Sequence, residues 1–267
     1  MFASVHNQVI AHAPSLGMEA TGNLPRLLTP TVLWTGRCSG FLYKGIPTHG
    51  HLSAFAIKGE HSNMLIDTGL VAHFPFVSKD VKTFLEDGPL DYIFPTHAEM
   101  PHCGALPTWM REYPNAVAVG YVSDYELYYP QITPRLKPME VGESIDLGGR
   151  RILLLPAIWK DLPSLWAFDT KDRILFVSDG FAFLHFHTTD QCDHRTSEHP
   201  LPDLEIVRYF NERALQWTQY VDTRVTFDDI DRLLRDLRPN LIASAHGGVI
   251  DTPEQMIPLI KQGMLLG

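Results

Sequence analysis

The chain has few cysteines, a deficit of basic residues and no long apolar run, and each shortage removes a class of protein. Its three cysteines, Cys38, Cys103 and Cys192, lie far apart and form no CxxC pair. That spacing excludes a disulfide scaffold and argues against a thiolate zinc site. Acidic residues outnumber Lys and Arg by 31 to 22, for a net charge of −9, and no basic stripe reverses the sign locally. Such a chain repels phosphate backbones and anionic lipid, so nucleic acid and membrane are not expected as partners. No apolar run approaches the ~18 residues of a membrane helix. The stretch Met1 to Thr29 lacks the charged-then-apolar order of a secretory leader, and the expected location is cytoplasmic.

What is present suits a large α/β unit. The 267 residues are 45% hydrophobic and 20% charged, enough to bury one substantial core. The turn-rich residues 1–30 read as an irregular arm, and residues 31–267 as a single domain. Short strand-like runs follow the arm: Thr31 to Thr35, Gly40 to Tyr43, Ser53 to Lys58 and Asn63 to Asp67. Val81 to Leu85 reads as helical, and Asp91 to Pro95 as a buried strand. Ala105, Leu106, Trp109, Met110 and Tyr113 recur at helical spacing until Pro114 ends the pattern. Further strands are expected at Ala116 to Tyr121, Arg151 to Leu155, Ile174 to Val177 and Asn240 to Ser244. Tyr125 to Pro138, rich in Tyr and Pro, reads as a loop or lid. The tail is more helical. One amphipathic face runs from Leu204 to Val221, a Thr226/Asp229 capping box starts a second helix, and Thr252-Pro253 starts a last one.

The chain has thirteen histidines, and their placement carries the chemistry. The densest group is His97-Ala98-Glu99-Met100-Pro101-His102, between a strand end and a helix start. Two imidazoles and a carboxylate on a loop with fixed ends can converge on one ion. That donor set suits zinc, iron or manganese. The alternative is a polar loop with no metal. Asp179 and His246 each follow a buried strand, and strand ends on one edge of an α/β sheet are where ligands collect.

At these residues the chain resembles a known family. Asn63-Met64-Leu65-Ile66-Asp67-Thr68-Gly69 is similar to the Asp-Thr-Gly strand of metallo-β-lactamase-fold proteins. The superfamily signature HxHxDH has Glu99 at its third position here. That His-x-Glu variant resembles the flavodiiron proteins, their single-domain oxygen-binding relatives and the diiron hydroxylases of antibiotic assembly lines. The match continues through His102-Cys103-Gly104-Ala105-Leu106-Pro107, Val177-Ser178-Asp179-Gly180-Phe181 and His246-Gly247-Gly248-Val249-Ile250.

The resemblance implies an αββα sandwich with the site at one edge of two sheets. It implies that His97 and Glu99 bind one metal, His102 and His246 the other, that Asp179 bridges them, and that Asp67 supports the site from behind. Two positions depart from the family. Pro101 replaces a second carboxylate, and the next expected histidine, judged from Trp159 and Asp161, is Ile158. Each ion then loses one protein ligand, so two ions are expected and one is allowed.

His185, His187, Asp190, Asp193, His194 and His199 are candidates to replace the lost ligands. His49 and His51 precede the Ser53 strand, with His51 the better placed for contact with substrate or with the ligands. Tyr125, Tyr128 and Tyr129 are read as lining a lid over the cleft, with ordinary packing as an equal alternative. Cys103 is read as a small buried residue at a helix start, with a reactive thiol as the alternative.

The functional expectation is a non-haem iron protein, diiron by preference, that binds or activates O2 or oxidises a small organic substrate. No flavodoxin-like segment follows the metal domain, so electrons are expected from an external donor or the substrate. A homodimer is expected from the resemblance. The first alternative is a zinc or manganese hydrolase of an ester, lactone or phosphoester. The second is a degenerate ligand sensor without turnover.

Overall fold

Alternation of apolar residues with both faces covered dictates the architecture. A computed structural model describes residues 24–186 and 192–265. Seven strands form the first sheet, adjacent in chain order: β1 (Arg26–Thr29), β2 (Val32–Tyr43), β3 (Ile46–Lys58), β4 (Asn63–Ile66), β5 (Tyr92–Phe94), β6 (Val117–Gly120) and β7 (Leu136–Pro138). The second sheet holds β8 (Ser144–Asp146), β9 (Arg151–Pro156), β10 (Leu165–Asp169), β11 (Ile174–Phe176) and β12 (Leu241–Ala243), in the order β12-β11-β10-β9-β8. The helices are α1 (Phe74–Leu85), α2 (Met100–Cys103), α3 (Leu106–Glu112), α4 (Tyr125–Tyr128), α5 (Leu204–Ala214), α6 (Phe227–Leu237) and α7 (Pro253–Gly263). None of the described helices is long and apolar enough to cross a membrane.

Strand β3 shows how the layers arise. Phe55 and Ile57 point between the sheets, where they meet Ile152, Leu154, Leu165 and Phe176. Ala54 and Ala56 point the other way, into a cluster with Val77 and Val81 of α1 and Leu106, Trp109 and Met110 of α3. The period of two thus feeds two cores from one strand. On the far side, Trp166, Phe168, Leu175 and Ile242 pack against Val207, Ile230, Met256 and Ile260 of α5, α6 and α7. The result is the expected αββα sandwich.

Several elements differ from the sequence reading. The two runs read as separate short strands, at Thr31 to Thr35 and Gly40 to Tyr43, are one strand, β2. It pairs with β3 along its whole length, from Val32–Ile57 to Tyr43–Ile46. Lys44 and Gly45, at φ 51° and 79°, make the two-residue turn, because two left-handed residues match the twist of a hairpin. Gly36 sits within the unbroken ladder, opposite Ser53. Its φ is 134°, and a Cβ there would lie 2.3 Å from the Leu52 carbonyl oxygen.

Arg26–Thr29, within the segment read as an irregular arm, is β1 and pairs with β2. The expected lid contains α4 and β7, and β10 is a strand the sequence reading passed over. The 204–221 amphipathic run breaks after Ala214. Thr226 is not a capping-box residue: its hydroxyl accepts a hydrogen bond from Trp159 Nε1 at 2.8 Å and donates to the Thr223 carbonyl at 2.7 Å.

A buried cation fastens the two sheets. The Arg150 side chain is fully buried and donates to Asp169 Oδ2 at 2.8 Å and Asp172 Oδ2 at 3.1 Å, and also to the Thr31 hydroxyl. Asp169 and Asp172 belong to the second sheet's end, while Thr31 sits between β1 and β2. Removing the cation would strand a buried carboxylate. Arg150→Met is expected to cost about 3–5 kcal/mol, read as a lowered urea midpoint. The double variant R150M/D169N should recover part of that loss.

Candidate metal centre

Four strand ends deliver the site. Strands β4 and β5 run parallel, as do β11 and β12, so their C-terminal ends open on one edge of the sandwich. Asp67 follows β4, Thr96 and His97 follow β5, Ser178 and Asp179 follow β11, and His246 follows β12. Asp67 and Ser178 hold left-handed backbone, at φ 58° and 52°. That conformation costs a residue with a Cβ about 1–3 kcal/mol, and turns held this way aim side chains rather than relax. The amide of Asp67 bonds to the Phe94 carbonyl at 3.0 Å, and Ala245 N–H bonds to the Ser178 carbonyl at 2.8 Å.

The donors converge closely. His97, Glu99, His102 and Asp179 each place a ligand-capable atom within 4.8 Å of the others. Asp179 divides its two oxygens. Oδ2 lies 3.3 Å from His97 Nε2, while Oδ1 lies 3.1 Å from both His102 Nε2 and His246 Nε2. His97 Nε2 is also 3.2 Å from Glu99 Oε2, and the His102 and His246 Nε2 atoms are 3.2 Å apart. His97, His102, Asp179 and His246 are buried, but the Glu99 side chain is 56% exposed, so the centre opens to solvent on the Glu99 side.

Hydrogen-bond accounting fixes which nitrogen faces inward. His246 Nδ1 lies 2.8 Å from the His51 carbonyl, which can only accept, so Nδ1 carries the hydrogen. His102 Nδ1 lies 2.9 Å from Asp67 Oδ2 and donates to that carboxylate. The Thr96 hydroxyl donates to Asp67 Oδ1 at 2.9 Å. Its one hydrogen being spent, it accepts from Ser178 Oγ at 2.8 Å. Ser178 then accepts from His97 Nδ1 at 2.9 Å. All three imidazoles therefore commit Nδ1 outward and turn Nε2, the ligating atom of the neutral ring, toward Asp179.

Three ring nitrogens gathered around one buried carboxylate call for positive charge between them, supplied by a proton on His102 or by a bound cation. Asp179 Oδ1 is buried and has no hydrogen bond of acceptable geometry, despite two nitrogens at 3.1 Å. The same field appears in the ionisation of these groups. Burial would raise the Asp179 carboxyl, yet His102 and His246 hold it well below the usual range. Burial opposes charge on His102, but Asp67 and Asp179 lift it to about 10. The His97 contact lowers Glu99. The residues present thus fit one or two cations bound by imidazole and carboxylate.

Other expected residues lie elsewhere. His51 is buried, but its ring donates to the Cys192 carbonyl, and only its backbone carbonyl reaches the centre, through His246. Tyr125 does not line a lid. It is buried in the cluster beneath α1 and α3, and its hydroxyl donates to the His97 carbonyl at 3.1 Å, behind the ligand loop. His185 stacks on His51 with ring centroids 4.5 Å apart and faces Cys38 rather than Asp179.

Neither Asp193, His194 nor His199 joins the cluster, and His187 and Asp190 lie outside the described residues. Cys103 is buried, and burial pushes its thiol up to about 11, against a reactive thiolate. Thr96 and Ser178 were not anticipated. Their only sequence signal is adjacency to His97 and Asp179. A cavity of 360 Å³ lies beside the centre, lined by His51, Phe183, His194, Thr196 and Gly248 among others. Residues 183–186 and 192–203 shape it, and the Tyr125 to Pro138 stretch does not contribute.

Comparison with known proteins adds to this geometry. A family model described as "ODP family beta lactamase" matches residues 51–247. The anaerobic nitric oxide reductase flavorubredoxin of Salmonella arizonae is 26% identical over 215 residues, covering 75% of this chain and 42% of that protein. The coenzyme F420H2 oxidase of Methanothermobacter marburgensis is 27% identical over 241 residues, covering 85% and 58%. The chain thus spans about half the length of these curated relatives. The solved structure of the peroxy diiron species of chemotaxis sensor ODP superimposes with a TM-score of 0.64 at 19% identity, covering 91% of this chain and 96% of that one. The structural likeness fixes the fold.

The hydrogen-bond pattern makes Asp67 testable. Asn tolerates the left-handed backbone, so Asp67→Asn should fold. Its amide would donate to His102 Nδ1, forcing the hydrogen onto Nε2 and turning a donor of lone pairs into an N–H. Metal affinity, measured by Fe(II) or Co(II) titration, is expected to fall about 10–100-fold with far-UV circular dichroism unchanged.

Proposed function

The chain belongs to the ODP family of β-lactamase-fold proteins, and on that premise we propose that it is a diiron protein that binds O2 or NO. The observation that carries this reading is the divided Asp179 carboxylate, with one oxygen toward His97 and the other toward His102 and His246. A carboxylate so placed would bridge two ions. His97 and Glu99 would complete one set of ligands, and His102 and His246 the other. Neither Pro101 nor Ile158 has a donor atom, so each ion would keep three protein ligands and more than one open position. Iron bound there would supply reversible binding and reduction of the diatomic ligand.

The chain's own residues would set the conditions. Asp67, Ser178 and the His51 carbonyl hold the three rings in the ligating tautomer, so little reorganisation accompanies binding. Glu99, at the exposed rim, is the ligand best placed to move as a small molecule enters. Imidazole and carboxylate cannot supply electrons, so turnover would need an external donor or an oxidisable organic substrate. Iron rather than zinc or manganese, and redox chemistry rather than hydrolysis, is favoured by relatives that are oxidoreductases by name. A second reading, a binding protein without turnover, is favoured by the nearly full-length match to the chemotaxis sensor ODP.

Metal content of chain purified without chelators or a metal-binding tag tests the proposal. Close to two irons per chain are expected. Asp179→Ala should lose both, whereas His246→Ala should lose one. Anaerobically reduced protein should then take up O2 or NO stoichiometrically, and consumption beyond one equivalent with added reductant would separate turnover from binding. Mainly zinc or manganese, or equal iron loss in the two variants, would overturn the diiron assignment.

A further inference from the structure

A second group of ligand atoms lies on the other side of His51. Cys38, His49, His185 and Cys192 each place a sulfur or ring nitrogen within 4.8 Å of the other three. Cys38 Sγ is 3.9 Å from His185 Nε2, and Cys192 Sγ is 3.8 Å from His49 Nδ1. Both cysteines are buried and both histidines half-buried. No sequence spacing announces this set, and the expectation against a thiolate site rested on spacing alone.

The fold assembles it from three passes of the chain. In the β2–β3 hairpin Cys38 pairs with His51 and Gly40 with His49, so Cys38 and His49 are diagonal neighbours on one face. His185 is then fixed to His49 by a two-way backbone bridge, with N–H to carbonyl distances of 2.9 Å in both directions. The carbonyl of Cys192 takes the His51 ring hydrogen, which seats that residue over the same face. Backbone contacts, not the side chains themselves, therefore bring the four donors together.

We infer that these residues form a closed zinc site of the two-cysteine, two-histidine type. With Zn–S near 2.3 Å and Zn–N near 2.0–2.1 Å, a tetrahedral ion sets sulfur and nitrogen about 3.6 Å apart. The two observed sulfur–nitrogen distances stand within a few tenths of that, and are long for neutral S–H hydrogen bonds. Soft thiolates with imidazole in a tetrahedron select zinc over the harder ions suited to the His97 centre. Binding would release both thiol protons to solvent, and two thiolates would neutralise the ion, which suits a half-buried place.

The site would staple residues 183–186 and 192–203, which line the 360 Å³ cavity, to the hairpin whose His51 carbonyl orients His246. It is thus a structural lock beside the first centre, with its own metal and ligands.

Cobalt reports the site directly, because only thiolate ligands give sulfur-to-metal charge transfer. Full-length chain, stripped of metal under reducing conditions and titrated with Co2+, should develop that near-ultraviolet band, and Zn2+ should abolish it. Chain purified as above should hold about one zinc, the capacity of one closed four-ligand site. Cys38→Ser and Cys192→Ser should each lower zinc affinity more than about tenfold, a loss that even a residue behind the ligands can cause. H97A/D179A should leave both zinc content and the cobalt band in place. A wild-type chain with no thiolate–cobalt band overturns the inference without relying on any variant. So does zinc content unchanged in C38S/C192S, or a Cys38–Cys192 disulfide in freshly purified protein that binds no zinc after reduction.

Discussion

Asp67 is the constraint on which the centre depends. One of its oxygens takes the Thr96 amide and hydroxyl, at 2.8 and 2.9 Å, and the other takes His102 Nδ1. Because an ionised carboxylate only accepts, it fixes the direction of each hydrogen bond that leads away from it. Thr96 must donate, so Ser178 must donate to Thr96, and His97 must donate to Ser178. A carboxylate outside the donor cluster thereby decides the tautomers of two rings on the His97–His102 loop. The left-handed turn at Asp67 is what lets a residue at the end of β4 reach across to the end of β5.

The strand order explains why this can happen at one place. Each sheet contributes a parallel pair, β4 with β5 and β11 with β12, and only parallel neighbours present their carboxyl ends side by side. The two pairs face one another across the central core of Trp34, Phe55, Ile66, Phe94 and Phe176. Registration of the sheets by that core and by Arg150 therefore sets distances such as Asp179 to His102. Tight packing transmits the position with little slack. Gly180 belongs to the same requirement, since a Cβ there would meet the Trp166 ring at 2.7 Å.

Binding at such an edge calls for ligands of different stiffness. His97, His102 and His246 are held by hydrogen bonds at their far nitrogens. Glu99, at the N-cap of α2, has an exposed side chain whose carboxylate meets only His97 among the described residues. A rigid inner set with one yielding carboxylate would suit a centre that admits a small molecule at its rim. His51 lines the neighbouring cavity, stacks on His185 of the Cys38–Cys192 cluster and holds His246 through its carbonyl, so it links the centre to both.

The sequence by itself determined the α/β character and the His97–His102 donor run, both written in local pattern, and the resemblance supplied the sandwich. Strand periodicity with two apolar faces, the His97–His102 run, and Asp179 and His246 after buried strands are all read within short windows. The resemblance added the pairing of those windows. What the sequence left undecided depends on contacts between distant segments.

The separate short runs expected at Thr31 to Thr35, Gly40 to Tyr43 and Ser53 to Lys58 join into one long hairpin, because cross-strand pairing outweighs local turn preference once twelve residues pair. Tyr125 looked like a lid residue because burial behind a loop leaves no mark on spacing. The Cys38, His49, His185 and Cys192 set is separated by up to 154 positions and meets only through the hairpin register and the His49–His185 bridge. Tertiary structure alone decided that cluster, since proximity between distant side chains is a property of the closed backbone hydrogen-bond network and not of any stretch of sequence.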